Sequence, residues 1–262
     1  MTPAYITSRK NPLMTEIRKL ISSRSFRRER GLFVGEGTKL LEEAVRASAP
    51  LDTVVAVPGV SLPSLPAGVR LVEVPREVME SVSAMDAPQG AMFLCRLGES
   101  APPQRLEGER YLVLDGVQDP GNVGTIWRTA DALGADGLIL VNGCADPWGP
   151  KTVRATMGAC FRLPVYEVRG EELPVLLERS GLPLYAAALG DKTLDLRQVP
   201  LDRCAVAIGS EGRGVSSQVL DASEKTVKIP MRPRCESLNA AAAAAVVLWE
   251  MARGSGGETI LI

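Results

Sequence analysis

The 262-residue chain contains no histidine, and that absence removes the commonest general base and the commonest zinc ligand. Ser-His-Asp and Cys-His catalysis are excluded. Any proton transfer must use carboxylates, lysine, arginine, tyrosine or solvent. Cysteine is sparse too. Cys95, Cys144, Cys160, Cys204 and Cys235 are scattered without a CxxC pair, which fits free thiols in a reducing cytoplasm and neither a disulfide framework nor a metal centre. No run of about 18 uncharged apolar residues is present, so no membrane span is expected. The start, MTPAYITSRKNP, lacks the apolar core of a secretory signal, and the expected location is the cytoplasm.

The chain also lacks an overall excess of positive charge, since its formal net charge is −1. That average conceals a local asymmetry. Residues 1–30 carry Arg9, Lys10, Arg18, Lys19, Arg24, Arg27, Arg28 and Arg30 against Glu16 and Glu29. A solvated helix face is one account of such a run. The other is a footprint for phosphates, each neutralised phosphate releasing counterions and adding affinity. Arg9, Lys10, Arg24, Arg27 and Arg28 are the candidate phosphate contacts.

The segment GESAPPQRLEGER (98–110) is polar and without apolar period, so it reads as a linker. Two domains are expected, 1–105 and 106–262. In the first, Asn11 and Pro12 mark a helix start, and Leu13, Ile17, Leu20 and Ile21 share a face. A second helix follows Thr38, with Leu40, Leu41, Ala44 and Val45 expected to be buried. A third helical stretch runs from Arg76 to Met85. Apolar pieces at 32–34, 53–57, 70–74 and 91–97 read as strands of a small α/β domain. In the second half, strands at 111–115, 137–141, 184–189, 205–209 and 227–231 alternate with helices at 125–133, 151–157, 171–179 and 238–252. Strands this apolar indicate a parallel sheet covered on both faces. Periodicity does not reveal its topology.

Three loops follow candidate strands, and in an open parallel sheet such loops converge at the strand carboxyl ends. DGVQDPGNVGTIWRTADALGA (115–135) combines glycines that allow close backbone approach with a helix start that offers free amides. Its spacing is not the GxGxxG of dinucleotide enzymes. Arg128 is expected about one turn into that helix, with an ordinary ion pair as the alternative to a site role. AIGSEGRGVS (207–216) places Glu211 among three glycines. KIPMRPRCESLNAAAAAAVVLWEMA (228–252) presents Ser237 and Asn239 before an alanine-rich helix, which either residue could cap.

Taken together, these loops resemble the signature motifs of the SpoU (TrmH-like) branch of the SPOUT methyltransferases. DPGNVGTIWRTADALGA matches the first motif, IGSEGRGVS the second and IPM…ESLNAA the third. RATMGACFRLPV (154–165) matches a segment between them. The resemblance covers residues 110–253. The first half, through ITSRKNP and RRERGLFVGEGTKLLEEA, resembles the substrate-binding domain that precedes many SpoU catalytic domains.

The resemblance implies an α/β trefoil-knot domain with a parallel sheet, preceded by a small RNA-binding α/β domain that looks like a ribosomal protein. It implies methyl transfer from S-adenosylmethionine (AdoMet) to a ribose 2′-hydroxyl of structured RNA, without a metal. The cofactor pocket would be formed by Gly209, Ile229 and Leu238. Arg128 matches the arginine at the reacting centre. Asn122, Glu211, Ser237 and Asn239 match polar positions that order the ribose, the arginine and the loops. A guanidinium is a poor proton acceptor, so the proton would go to Arg128 or to an RNA phosphate. The chain departs from the pattern at Pro233, where the family usually has glycine and which stiffens the third motif, and at Ala240 and Ala241.

A separate amino-terminal domain favours 23S rRNA over tRNA as substrate, because TrmH-type tRNA enzymes usually lack one. Antibiotic-resistance enzymes share this architecture, so a housekeeping and a resistance role are both open. The rivals are a ribosome-assembly factor that has lost catalysis and, more remotely, a nicotinamide dehydrogenase. A homodimer through the catalytic domains is expected. It rests on the family and on a last helix too apolar around its circumference to bury against one sheet.

Overall fold

Asn11 starts the first helix by side-chain chemistry. Its Oδ1 accepts a hydrogen bond from Leu13 N at 2.9 Å, and Pro12 sits where an amide would lack a partner, so α1 (Pro12–Ser22) begins there. Ser23 then accepts from Phe26 N at 3.2 Å and opens α2 (Arg24–Arg30), a helix whose run of charges carries no apolar period. These features come from a computed structural model that describes residues 4–98, 101–190, 192–232 and 237–253.

The chain divides into two compact units. The described residues of Met1–Gly98 with Asp146–Arg162 form the first, and those of Glu99–Ala145 with Leu163–Ile262 form the second. The first unit holds a mixed sheet of β1 (Ala4–Tyr5), β2 (Leu32–Glu36), β3 (Leu51–Ala56), β4 (Arg70–Glu73) and β5 (Ala91–Arg96), in the order β1-β4-β3-β5-β2. Neighbours β1, β4 and β3 run parallel, and β5 is antiparallel to both β3 and β2. Met14, Ile17 and Leu20 of α1 pack with Val34, Val55, Val72 and Leu94 of the strands. Helix α3 (Thr38–Arg46) buries Leu40, Leu41 and Ala44, while Val45 is only half-buried. Helix α4 (Arg76–Glu80) stops five residues short of the expected Met85. Serines end it: Ser81 Oγ donates to Val78 O at 2.7 Å and Ser83 Oγ accepts from Met85 N at 2.9 Å, so local side-chain bonds replace the helical ladder.

The second unit begins with β6 (Arg110–Asp115), α5 (Pro120–Ala132) and β7 (Gly137–Val141). The chain then returns to the first unit for α6 (Pro150–Ala155). It re-enters the second with β8 (Val165–Glu167), α7 (Leu173–Ser180), β9 (Leu184–Ala187), β10 (Leu194–Asp195), β11 (Cys204–Gly209), α8 (Ser217–Asp221), β12 (Lys225–Lys228) and α9 (Ala240–Arg253). The strand order is β10-β12-β9-β11-β6-β7-β8, and every pairing is parallel. All of β7 and nearly all of β6 and β11 are buried, as strands covered on both faces must be. Strand β12 ends at Lys228, not at the expected residue 231, because Pro230 has no amide for a further rung.

The expected division has one boundary, at residue 105, whereas by compactness the segment Asp146–Arg162 groups with the first unit. This segment packs with the first unit for two reasons. Asp146 pairs with buried Arg27, and Trp148 and Phe161 pack against Phe33 with ring centroids 4.9 and 6.3 Å away. Aromatic burial of this kind outweighs sequence adjacency.

Candidate active site

Parallel pairing sends the carboxyl ends of β6, β7 and β11 to one edge of the sheet. The loop after β6 is shorter than its glycines suggest. Asp119 Oδ1 accepts from Asn122 N at 2.8 Å, and Pro120 fills the first turn, so α5 begins five residues before the expected Thr125. Gly121 and Gly124 are therefore helical. Arg128 lies eight residues past Pro120, more than two turns in and not about one.

The loop after β11 folds on itself. Gly214 N donates to Ser210 O at 2.8 Å, with Gly214 in the left-handed region at φ +66. This brings the Gly214 carbonyl and Val215 amide against Gly209, where any Cβ would overlap them. Helix α9 opens at Ala240 because Asn239 Oδ1 accepts from Ala241 N at 2.9 Å. Pro233, expected to stiffen the third motif, lies outside the described residues, as does Cys235.

Hydrogen bonds join the three loops through Asn122. Asn239 Nδ2 donates to Asn122 Oδ1 at 3.2 Å, and Asn122 Nδ2 donates to the Glu211 carboxylate. The direction of both bonds is dictated. The capping role turns the Asn239 oxygen toward α9, leaving its amino group for Asn122, whose own amino group must then face a carboxylate that only accepts. From Asn122, the other two residues are 89 and 117 positions away in sequence.

A cavity of 420 Å³ opens beside this chain of bonds. Gly209, Ile229 and Leu238 all line it, as do Glu211 and Ser237. Ala187, Ile208 and Val227 supply apolar wall, and Arg213 and Lys228 supply positive charge. Residues 187–189, Arg213 and Lys228 lie outside the expected site; Arg213 belongs to the quoted loop 207–216, and the others sit at or just past the ends of β9 and β12. Arg128 does not line the cavity and stands outside the bonded chain. It is exposed and pairs with no carboxylate among the described residues, so the ion-pair alternative does not hold there.

The basic segment divides. Arg9, Lys10, Arg24 and Arg28 are exposed. Arg27 is not: it is 5% exposed, its Nε donates to Asp146 at 3.1 Å and its Nη1 to Ile21 O at 3.1 Å. Arg27 is thus a buried ion-pair residue and not an RNA contact, because its guanidinium is enclosed with its protein acceptors, whereas Arg24, 4.0 Å from the same Asp146 carboxylate, remains exposed.

Among the described residues no group of three or more Cys, Asp or Glu could hold a metal ion. Burial pushes the Cys95 thiol up to about 12, Cys144 to about 11 and Cys204 to about 12, which suits packing and not nucleophilic work. No helix among the described residues is long and apolar enough to cross a membrane.

Residues 109–249 match the model of the SpoU rRNA Methylase family, and residues 11–92 match an MRM3-like substrate binding domain. A tRNA/rRNA methyltransferase of Synechocystis is 35% identical over 95% of this chain and 94% of its own. The 23S rRNA (guanosine(2553)-2′-O)-methyltransferase RlmP of Bacillus subtilis is 30% identical over 94% and 98%. The crystal structure of an AdoMet-bound rRNA methyltransferase from Sinorhizobium meliloti has a TM-score of 0.83 at 31% identity, covering 95% of this chain and 97% of that one.

Proposed function

We infer the activity from one premise: this chain belongs to the SpoU rRNA methylase family. It is an AdoMet-dependent methyltransferase that methylates a ribose 2′-hydroxyl of structured RNA, and its substrate is 23S rRNA. The observation that carries this reading is the bonded chain Glu211–Asn122–Asn239, which ties all three motif loops together beside one cavity.

The cavity fits the cofactor. Gly209 leaves the loop backbone bare, Ile229 and Leu238 line the cavity beside it, and Ala187, Ile208 and Val227 provide apolar contact. AdoMet supplies, when bound, an electrophilic methyl group on a sulfonium. The protein has to hold a 2′-oxygen in line with that methyl and ease the loss of its proton. Arg128 offers donors only, so it holds the ribose oxygen and stabilises its developing negative charge, while a neighbouring RNA phosphate takes the proton. Asn122, Glu211 and Asn239 keep the loops in register, and Ser237 lines the cavity beside them. Tritium transfer from labelled AdoMet to total RNA of cells lacking the gene tests the reading. Label is expected in 23S rRNA; label in tRNA would change the substrate, and none in any RNA would leave a non-catalytic RNA-binding factor.

The exposed part of the basic segment is the phosphate footprint. Replacing Arg24 and Arg28 with alanine is expected to weaken RNA binding and flatten the slope of log affinity against log salt by about 1 to 2. An unchanged slope would make the segment a solvated face. Arg27→Ala is expected to act differently, destabilising the fold by about 3 kcal/mol because Asp146 loses its buried partner and keeps only the more distant, exposed Arg24, which thermal unfolding would register.

Assembly follows from α9. Ala244, Val247, Leu248 and Met251 are buried, yet Val246 and Trp249 on another face are 40% and 60% exposed. We propose that this second face covers its counterpart in a homodimer built from the catalytic units. Light scattering of the full chain at micromolar concentration is expected to give a dimer, and Trp249→Asp a monomer. An active wild-type monomer would remove the dimer from the account. The full chain is the right sample, since deleting residues 1–105 would strip Trp148 and Phe161 of Phe33 and Phe93.

A further inference from the structure

We propose that Asp115 is a positioning residue for the cofactor loop, holding the return end of residues 209–215 in the shape that binds AdoMet; this rests on the function inferred above. Asp115 closes β6, an interior strand, opposite Gly209 of β11 on one side and Val141 of β7 on the other. The residue is 3% exposed. Its carboxylate spends one oxygen on each neighbour: Oδ2 accepts from Ser216 N at 2.6 Å, and Oδ1 accepts from Asn142 Nδ2 at 2.8 Å. Asn142 Nδ2 also reaches Ser216 Oγ at 3.2 Å, which closes a three-membered network.

The position of this network gives it its role. The outgoing end of the loop is held at Gly209 by the strand itself. The returning end leaves the cavity wall at Val215, and Ser216 is the next residue. Its amide is fixed by Asp115, so the carboxylate determines where Glu211, Arg213 and Gly214 stand between two clamped ends. Among the described residues no lysine or arginine pairs with Asp115. A buried carboxylate without a cation is costly, and an apolar side chain would serve packing alone better. What an apolar side chain cannot do is accept two directed N–H donors at once, one from the residue after β7 and one from the far end of the loop that follows β11. Asn142 suits the third corner because its backbone, at φ +54, is in the left-handed region that asparagine tolerates.

A hydrogen-bond swap in the full chain tests the assignment, with AdoMet affinity measured by calorimetry below the onset of unfolding. Asp115→Asn turns an amino group toward one of the two donors. It is expected to weaken AdoMet binding about tenfold or more, the effect of one buried donor left unpaired. Combining Asp115→Asn with Asn142→Asp restores complementarity. The amide introduced at position 115 then accepts from Ser216 N and donates to the carboxylate introduced at position 142. Affinity is expected to recover to within about threefold of wild type. A purely structural role would lower the melting temperature of the single variant while leaving the affinity of its folded state unchanged. That result, or a double variant no better than the single, overturns the assignment and leaves the methyltransferase reading standing. A wild-type protein that does not bind AdoMet overturns both.

Discussion

Arg128→Ala is expected to abolish methyl transfer, a loss of about a thousandfold in turnover, while AdoMet affinity stays within a few-fold. The size follows from removing a charged donor aimed at developing oxyanion charge. The selectivity follows from placement. Arg128 is exposed on α5, makes no ion pair among the described residues and does not line the cavity, so its loss takes nothing from the cavity and little from the fold. Single-turnover transfer to rRNA together with AdoMet calorimetry separates the two effects. Arg128→Lys keeps the charge but not the planar fork of donors, and it is expected to recover only a small part of the rate. Near wild-type turnover in the alanine variant would remove Arg128 from the mechanism, and a matching loss of AdoMet affinity would move it into the pocket.

Gly209→Ala is expected to reduce AdoMet affinity by about tenfold to a hundredfold, the range for forcing a methyl group into a filled space. Here the obstruction is backbone: the new Cβ would overlap the Gly214 carbonyl and the Val215 amide. A side chain could rotate away, but this turn is closed by the Gly214–Ser210 hydrogen bond and has no such freedom. The loop must open, taking Glu211 away from Asn122. Gly212→Ala is the control within the same loop. A Cβ there meets nothing within 4 Å, and affinity is expected to stay near wild type. Equal effects at both positions would mean that loop flexibility matters, and not the close approach at Gly209.

Much of this site is legible in the sequence. Gly209, Ile229 and Leu238 follow from motif resemblance and meet at one cavity. Asn122, Glu211 and Asn239 follow in the same way and are joined by hydrogen bonds. The start of α5 differs from the sequence reading because the glycines of GNVG suggest a longer loop. Asp119 and Pro120 together form a stronger start signal than the Thr125 position. Asp115 opens the quoted loop 115–135, yet its role is not legible there, since a carboxylate at a strand end has no local pattern that distinguishes it from a solvated turn residue.

By itself, the amino-acid sequence determined what local chemistry controls. The caps at Asn11 and Asn239, the stop at Pro230, the buried character of β6, β7 and β11 and the apolar circumference of α9 all act within a few residues of themselves. Tertiary structure decided what depends on pairing over distance. Arg27, indistinguishable from Arg24 and Arg28 as part of a basic run, became a core residue because Asp146, 119 positions away, reaches it. Residues 146–162 joined the first unit because Phe33 and Phe93 gave their aromatic rings a place to pack. Strand β11 came to lie between β9 and β6, which set Gly209 beside Asp115 and gathered the three loops. Hydropathy and capping are short-range signals, whereas strand order and buried charge pairs are settled by which distant surfaces bury each other best.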